Sequence, residues 1–218
     1  MSSPITLQDF HAKALADYGI ADLWPEAVLK EAKTKKEHIT KEIDALETFP
    51  FVTIDGEDAK DFDDAIFCKF SDHGFHLKVA IADVSFYVKE GSALDLEAAK
   101  RTTSVYMPKK VVPMLPEKLS NELCSLQPNK RRRCLCIEMD FDKDGYIRSY
   151  KFHRGIIKSV ARLTYTEVEN QIINGVKDTD YAESLKAAIA LFNKLLINKG
   201  YRGAPLSLIH ISEPTRPS

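Results

Sequence analysis

Residues 51–67 read FVTIDGEDAKDFDDAIF. The apolar run FPFVTI (49–54) has the length and texture of a buried strand and stops at Asp55. A second apolar run, AIFCKF (65–70), starts directly after Asp61, Asp63 and Asp64. Two strands joined by an acidic connection place these carboxylates at strand ends, beside apolar scaffolding. Four such groups within residues 55–64 repel one another unless something positive sits among them. A hard divalent cation is the simplest remedy. Mg²⁺ takes oxygen ligands, keeps several waters and accepts a few carboxylates plus substrate phosphate oxygens. Two such ions about 3.5–4 Å apart can neutralise a phosphodiester, activate a water and stabilise the leaving oxygen. Other readings of the spacing stay open. It suits an acidic turn in a hairpin, and a carboxylate pair for glycoside hydrolysis. An EF-hand loop counted from Asp55 fails, because Glu57, Ala59 and Ile66 fall at its third, fifth and twelfth positions. Zinc is disfavoured, since only Cys68 lies nearby and it belongs to an apolar strand.

Outward from this segment, FHLKVAIADVSFYV (75–88) reads as a third strand after the turn residues Asp72, His73 and Gly74. SALDLEAAKR (92–101) reads as a helix capped by Ser92, and VVPMLP (111–116) as extended chain. The stretch from Arg133 to Ile157 alternates and breaks at Asp144-Gly145, a hairpin signal. TYTEVENQII and YAESLKAAIALFNKLLINKG read as helices, the second ending at Gly200. Towards the N-terminus, residues 6–20 carry Leu7, Phe10, Leu15 and Tyr18 near a helical period, and a second helix is expected to run from Pro25 to Leu46. These elements predict an α+β fold with a mixed sheet and flanking helices, preceded by a helical lead-in arm over 1–48. The last residues, 206–218, have no clear period and end in two prolines; they read as a non-native tail, so His210 is given no role.

The blocks TIDGEDAKDFDDA, IADVSFYV, SVYMPKKVVPMLPEKLSNELCSL and ARLTYTEV, in this order and spacing, resemble the RNB catalytic domain of the ribonuclease II and ribonuclease R exoribonucleases, with wording nearer ribonuclease R. The resemblance runs from about Phe49 to about Gly203, so residues 49–205 are expected to be an N-terminal portion of that domain. It implies a processive 3′→5′ exoribonuclease that releases nucleoside 5′-monophosphates from single-stranded RNA with Mg²⁺, here as a monomer. By the same resemblance, Asp55, Asp61, Asp63 and Asp64 are the active-site aspartates. Asp55 and Asp64 would be direct Mg²⁺ ligands, Asp63 the carboxylate most critical to the chemical step, and Asp61 a supporting metal group. Tyr106 would stack on a base near the 3′ end, and Tyr165 would lie near the RNA path. Stacking on an aromatic face contributes about 1–3 kcal/mol per base and is indifferent to sequence. The family's domain is considerably longer than the matching stretch, and its second half carries an arginine near the scissile phosphate. A non-catalytic RNA- or metal-binding fragment is therefore the alternative. Thr102 stands where the family commonly has glycine, and Phe86 where it often has histidine. Asp83 is read as structural.

Composition sets the outer limits. The chain has 218 residues, 44% hydrophobic and 29% charged, which suits a folded globular protein. Lys plus Arg is 31 against 32 Asp plus Glu, for a net charge of -1, so a uniformly basic nucleic-acid surface is excluded. Basic residues gather locally at Lys109, Lys110 and Arg131 to Arg133, and most of these are expected on a solvated face. No apolar run approaches a membrane span, and Met1 to Asp9 lack the pattern of a secretory signal. Cys68, Cys124, Cys134 and Cys136 form no disulfide or zinc pattern, so packing roles and a cytoplasmic location are expected.

Overall fold

The computed structural model describes residues 6–39 and 44–201. Its contacts divide the chain into two compact units, one of Met1–His38 and Asp83–Ser125, the other of Ile39–Ala82 and Leu126–Ser218.

The first unit is mainly helical. Helix α1 (Leu7–Asp17) begins at a capping box in which the Thr6 hydroxyl accepts from the Asp9 amide and the Asp9 carboxylate accepts from the Thr6 amide. Helix α2 (Glu26–Thr34) starts after Pro25 but stops well short of Leu46. Lys35 already has extended backbone, so the long second helix expected from the sequence is a correction. The strand expected over 75–88 also ends early. Asp83 stands at the N-cap position of a short helix α3 (Val84–Tyr87), is buried, and accepts a hydrogen bond from Ser85 Oγ at 2.8 Å. Helix α4 (Ala93–Arg101) is capped by Ser92, as its sequence suggests. Arg101 ties this unit together: it pairs with Glu97, donates to the Leu23 carbonyl at 3.0 Å, and lies 3.6 Å from the centre of the Trp24 ring. After α4 the chain takes a positive φ of 64° at Thr102, a backbone conformation that favours glycine. Strands β5 (Val105–Met107) and β6 (Lys110–Val112) form a small hairpin, followed by a π-helical segment Lys118–Leu123.

The second unit is a seven-stranded mixed sheet. Its strands are β1 (Asp44–Ala45), β2 (Val52–Asp55), β3 (Asp64–Ser71), β4 (Gly74–Ala82), β7 (Arg131–Asp142), β8 (Ile147–Lys158) and β9 (Ala161–Thr164), in the order β1-β8-β7-β4-β3-β2-β9. The central strands pair antiparallel, while β1 with β8 and β2 with β9 are parallel, so the expected mixed α+β architecture is present. The β7–β8 hairpin turns where the Asp-Gly pair stands. Gly145 has φ 85°, and a Cβ there would come within 2.8 Å of the Lys194 side chain. Helix α5 (Tyr165–Asn174) follows β9 through a capping box formed by Thr164 and Glu167. Helix α6 (Ala182–Tyr201) covers one sheet face, with Leu185 against Val52 and Leu163, and Ala187 and Leu191 against Cys68, Phe75 and Phe141. These side chains alternate along their strands, so period-two patterning and a helical stripe meet in one dry layer.

Asp44 and Ala45 pair with Gly155 and Ile156 of β8, and Leu46 is buried. The approach at Gly155 is close: a Cβ there would meet Leu46 Cδ1 at 2.7 Å and displace that side chain. The basic cluster needs correction too. Arg132 and Arg133 are each only 7% exposed, whereas Arg131 is exposed and ion-paired to Glu47. All four cysteines are free and buried, and burial pushes the Cys68 thiol up to about 12 and that of Cys136 to about 11. They are packing residues, as expected. The tail over 206–218, with His210, lies outside the described residues.

Candidate active site

The sheet topology gathers the acidic residues at one end. Strands β2 and β3 run antiparallel, with Val52 opposite Ile66, so the end of β2 at Asp55 meets the start of β3 at Asp64. Parallel β9 ends beside them, with Thr164 opposite Asp55. The connection between the two strands turns through Gly56, whose carbonyl accepts from the Ala59 amide at 3.2 Å. It is pinned further along, where the Phe62 carbonyl accepts from the Leu126 amide and the Asp63 carbonyl from the Ala82 amide. Phe62 is buried while Asp63 and Asp64 are exposed, the alternation that turns the acidic side chains away from the core.

Electrostatics couples these groups. Burial, then repulsion from Asp64, raises the Asp55 carboxyl above the ordinary aspartate value; Arg162 acts against this, and Asp63 and Asp61 add to it. Although Asp63 and Asp64 reach solvent, partial desolvation by the protein around them raises both, and Asp61 and Asp64 add to the rise at Asp63. One oxygen of Asp55, Oδ2, is buried without a hydrogen-bond partner. A desolvated, unpartnered carboxylate oxygen beside further carboxylates is a donor set that fits a hard divalent cation. Among the described residues, however, no three His, Cys, Asp or Glu side chains converge closely enough to hold a metal by themselves. The aspartates share one sheet end without closing into a ready cage. That is compatible with Mg²⁺, which is held through one or two carboxylates while water and phosphate oxygens complete its shell.

Tyr165 is the first residue of α5, directly after Thr164, and is 64% exposed. It belongs to the same unit as the aspartates. Tyr106 lies on β5 in the first unit and is 69% exposed. Lys110 forms an ion pair with Asp22, and Lys109 has a positive φ of 59°.

Sequence reasoning passed over Arg162. It lies on β9 beside Thr53 of β2, and its Nη2 donates to the carbonyls of Gly56 and Glu57 at 2.5 and 2.6 Å. The block ARLTYTEV contains it, but a four-residue strand gives too little alternation to mark which side chain turns towards the acidic connection.

The RNB domain family matches residues 43–206. Ribonuclease R of Escherichia coli (strain K12) is 46% identical over 187 residues, covering 83% of this chain and 23% of the relative. Among solved structures, Mycoplasma genitalium RNase R in complex with double-stranded RNA has a TM-score of 0.85 and 34% identity, covering 89% of this chain and 36% of that one. The same enzyme in complex with ribose methylated single-stranded RNA has a TM-score of 0.84 and 34% identity, covering 89% of this chain and 32% of that one. The chain thus spans only a quarter to a third of these relatives. Among the described residues no helix is long and apolar enough to cross a membrane.

Proposed function

Since this chain belongs to the RNB domain family, we propose that it carries the cation-binding part of a 3′→5′ exoribonuclease site, which hydrolyses RNA to nucleoside 5′-monophosphates with Mg²⁺. The observation that supports the reading is the placing of Asp55, Asp61, Asp63 and Asp64 along one sheet end, where Arg162 only partly offsets the repulsion on Asp55. Asp55 and Asp64 are the residues to hold the ion, Asp55 through the oxygen that has no other partner. Asp63 is the group whose loss should harm the chemical step most, and Asp61 supports the ion from the same connection. Mg²⁺ held by Asp55 and Asp64 would supply neutralisation of phosphate oxygens and a water of lowered pKa. Tyr106 and Tyr165 would hold unpaired bases by their faces, which suits single-stranded RNA of any sequence. The RNA complexes of the M. genitalium relative support RNA as the ligand. Four buried free thiols support a reducing, cytoplasmic setting, and the reading needs no second copy of the chain.

Asp63→Asn in a version of relative length is expected to bind a single-stranded oligonucleotide undiminished and to release monophosphates at least about a thousandfold more slowly, the scale of a lost electrostatic group in a preorganised site. Undiminished cleavage would refute the assignment. A second reading, RNA or metal binding without cleavage by the 218-residue chain, is favoured by the lack of three convergent ligands among the described residues. Stepwise monophosphate release by this chain with Mg²⁺, and none without it, would decide against that reading.

A further inference from the structure

Arg162 holds the acidic connection at more than one point. Besides its bonds to the Gly56 and Glu57 carbonyls, its guanidinium carbon lies 5.8 Å from the centre of the Phe62 ring, between Asp61 and Asp63. Thr166 adds a fastening from α5, its Oγ1 donating to Glu57 Oε1 at 3.0 Å. The Nε of Arg162 is buried and has no hydrogen-bond partner. A guanidinium desolvated in this way has its orientation set by the turn it grips, not by water. The acidic connection carries one backbone bond of its own, from the Ala59 amide to the Gly56 carbonyl, and the contacts from Arg162 and Thr166 fasten it from outside.

We propose that Arg162 is a positioning residue: it fixes the backbone between Asp55 and Asp64 so that their carboxylates can share one cation, without itself touching cation or RNA. The inference rests on the metal-dependent reading above, but its sign separates it from simple electrostatics. Taken as a bare charge, an arginine beside carboxylates competes with a cation, so removing it would tighten cation binding. Taken as a clasp, its removal loosens binding, and lysine does not replace it, because an ammonium keeps the charge but lacks the planar fork.

Two measurements on this chain test the proposal. The first is Mn²⁺ binding followed by electron paramagnetic resonance, with Mn²⁺ standing in for another hard, oxygen-seeking ion. Arg162→Lys and Arg162→Ala are each expected to weaken it about tenfold, and Thr166→Ala less, in line with the loss of charge-assisted and neutral hydrogen bonds. The second is trypsin nicking after Lys60 in the metal-free protein, expected to quicken about tenfold in Arg162→Lys, which keeps a trypsin site at 162. Should Arg162→Ala fail to fold, Arg162→Lys and Thr166→Ala carry the test. Tighter Mn²⁺ binding in a folded Arg162 variant overturns the proposal. So does unchanged nicking, whatever the cation does. If the unaltered chain takes up no Mn²⁺ yet nicking quickens in the variant, the clasp stands and the metal reading falls.

Discussion

Glu138 on β7 and Asp55 on β2 are partly buried carboxylates of the same sheet, and their surroundings act on them in opposite directions. Burial alone would raise Glu138, but its hydrogen bond and charge pairing with Lys78, with His153 adding, hold it below the ordinary range. Lys78 is itself buried beneath the Phe49 ring, and His153 Nδ1 faces Asp44 of β1 at 2.5 Å. Within that set Lys78 and Glu138 compensate one another. At the sheet end, burial and then three neighbouring carboxylates raise Asp55, and Arg162 opposes them. A compensated set holds strands together. An uncompensated one lowers stability unless a cation arrives, which is how a binding site differs from a brace.

The contrast can be broken from either side. The largest effect belongs to the brace. Glu138→Ala leaves Lys78 buried without its partner and should lower stability by about 3 kcal/mol in urea unfolding; a loss below a few tenths would show that the pair is no brace. Next comes the cation. Saturating Mg²⁺ or Mn²⁺ at about a hundredfold over its dissociation constant should stabilise the chain by about 2.7 kcal/mol, seen as a higher Tm. Asp55→Asn should abolish most of that gain, and an equal gain in the variant would remove Asp55 from the ligand set. Without metal the same substitution should act the other way, raising Tm by about 2–4 °C at neutral pH through relief of repulsion. The smallest effect is its pH dependence. A carboxyl raised in the folded state binds more protons folded than unfolded, so metal-free stability rises as pH falls from neutral through that raised value. The advantage of Asp55→Asn should therefore shrink over that window and be gone near the ordinary aspartate value of 3.8. Glu138, lowered in the folded state, contributes stability above its ordinary value and loses it as pH falls further, so Glu138→Ala should show the reverse trend. Thermal melts of both variants from pH 7 downward compare the two slopes directly.

Local chemistry was legible where neighbours in sequence decide the structure. Asp144-Gly145 marks the hairpin because the turn needs a positive φ there, and Ser92 and Thr164 cap helices with their own side chains. The four aspartates stood out because like charges so close demand compensation. Other features were hidden because distant partners create them. Asp44–Ala45 forms a strand only against Gly155 and Ile156, and Ala161–Thr164 only against β2. A run such as FHLKVAIADVSFYV has no internal sign that Ala82 ends the strand. Arg132 and Arg133 are buried although a basic run usually faces water.

By itself, the sequence determined that four aspartates bracket the junction of two apolar strands, since strand period and charge repulsion are properties of adjacent residues. Only the tertiary structure decided what stands beside them. Parallel β9 brings Arg162 and Thr166 onto the turn after Asp55, and pairing between strands far apart in the chain is fixed by shared burial under α6, which no local pattern encodes.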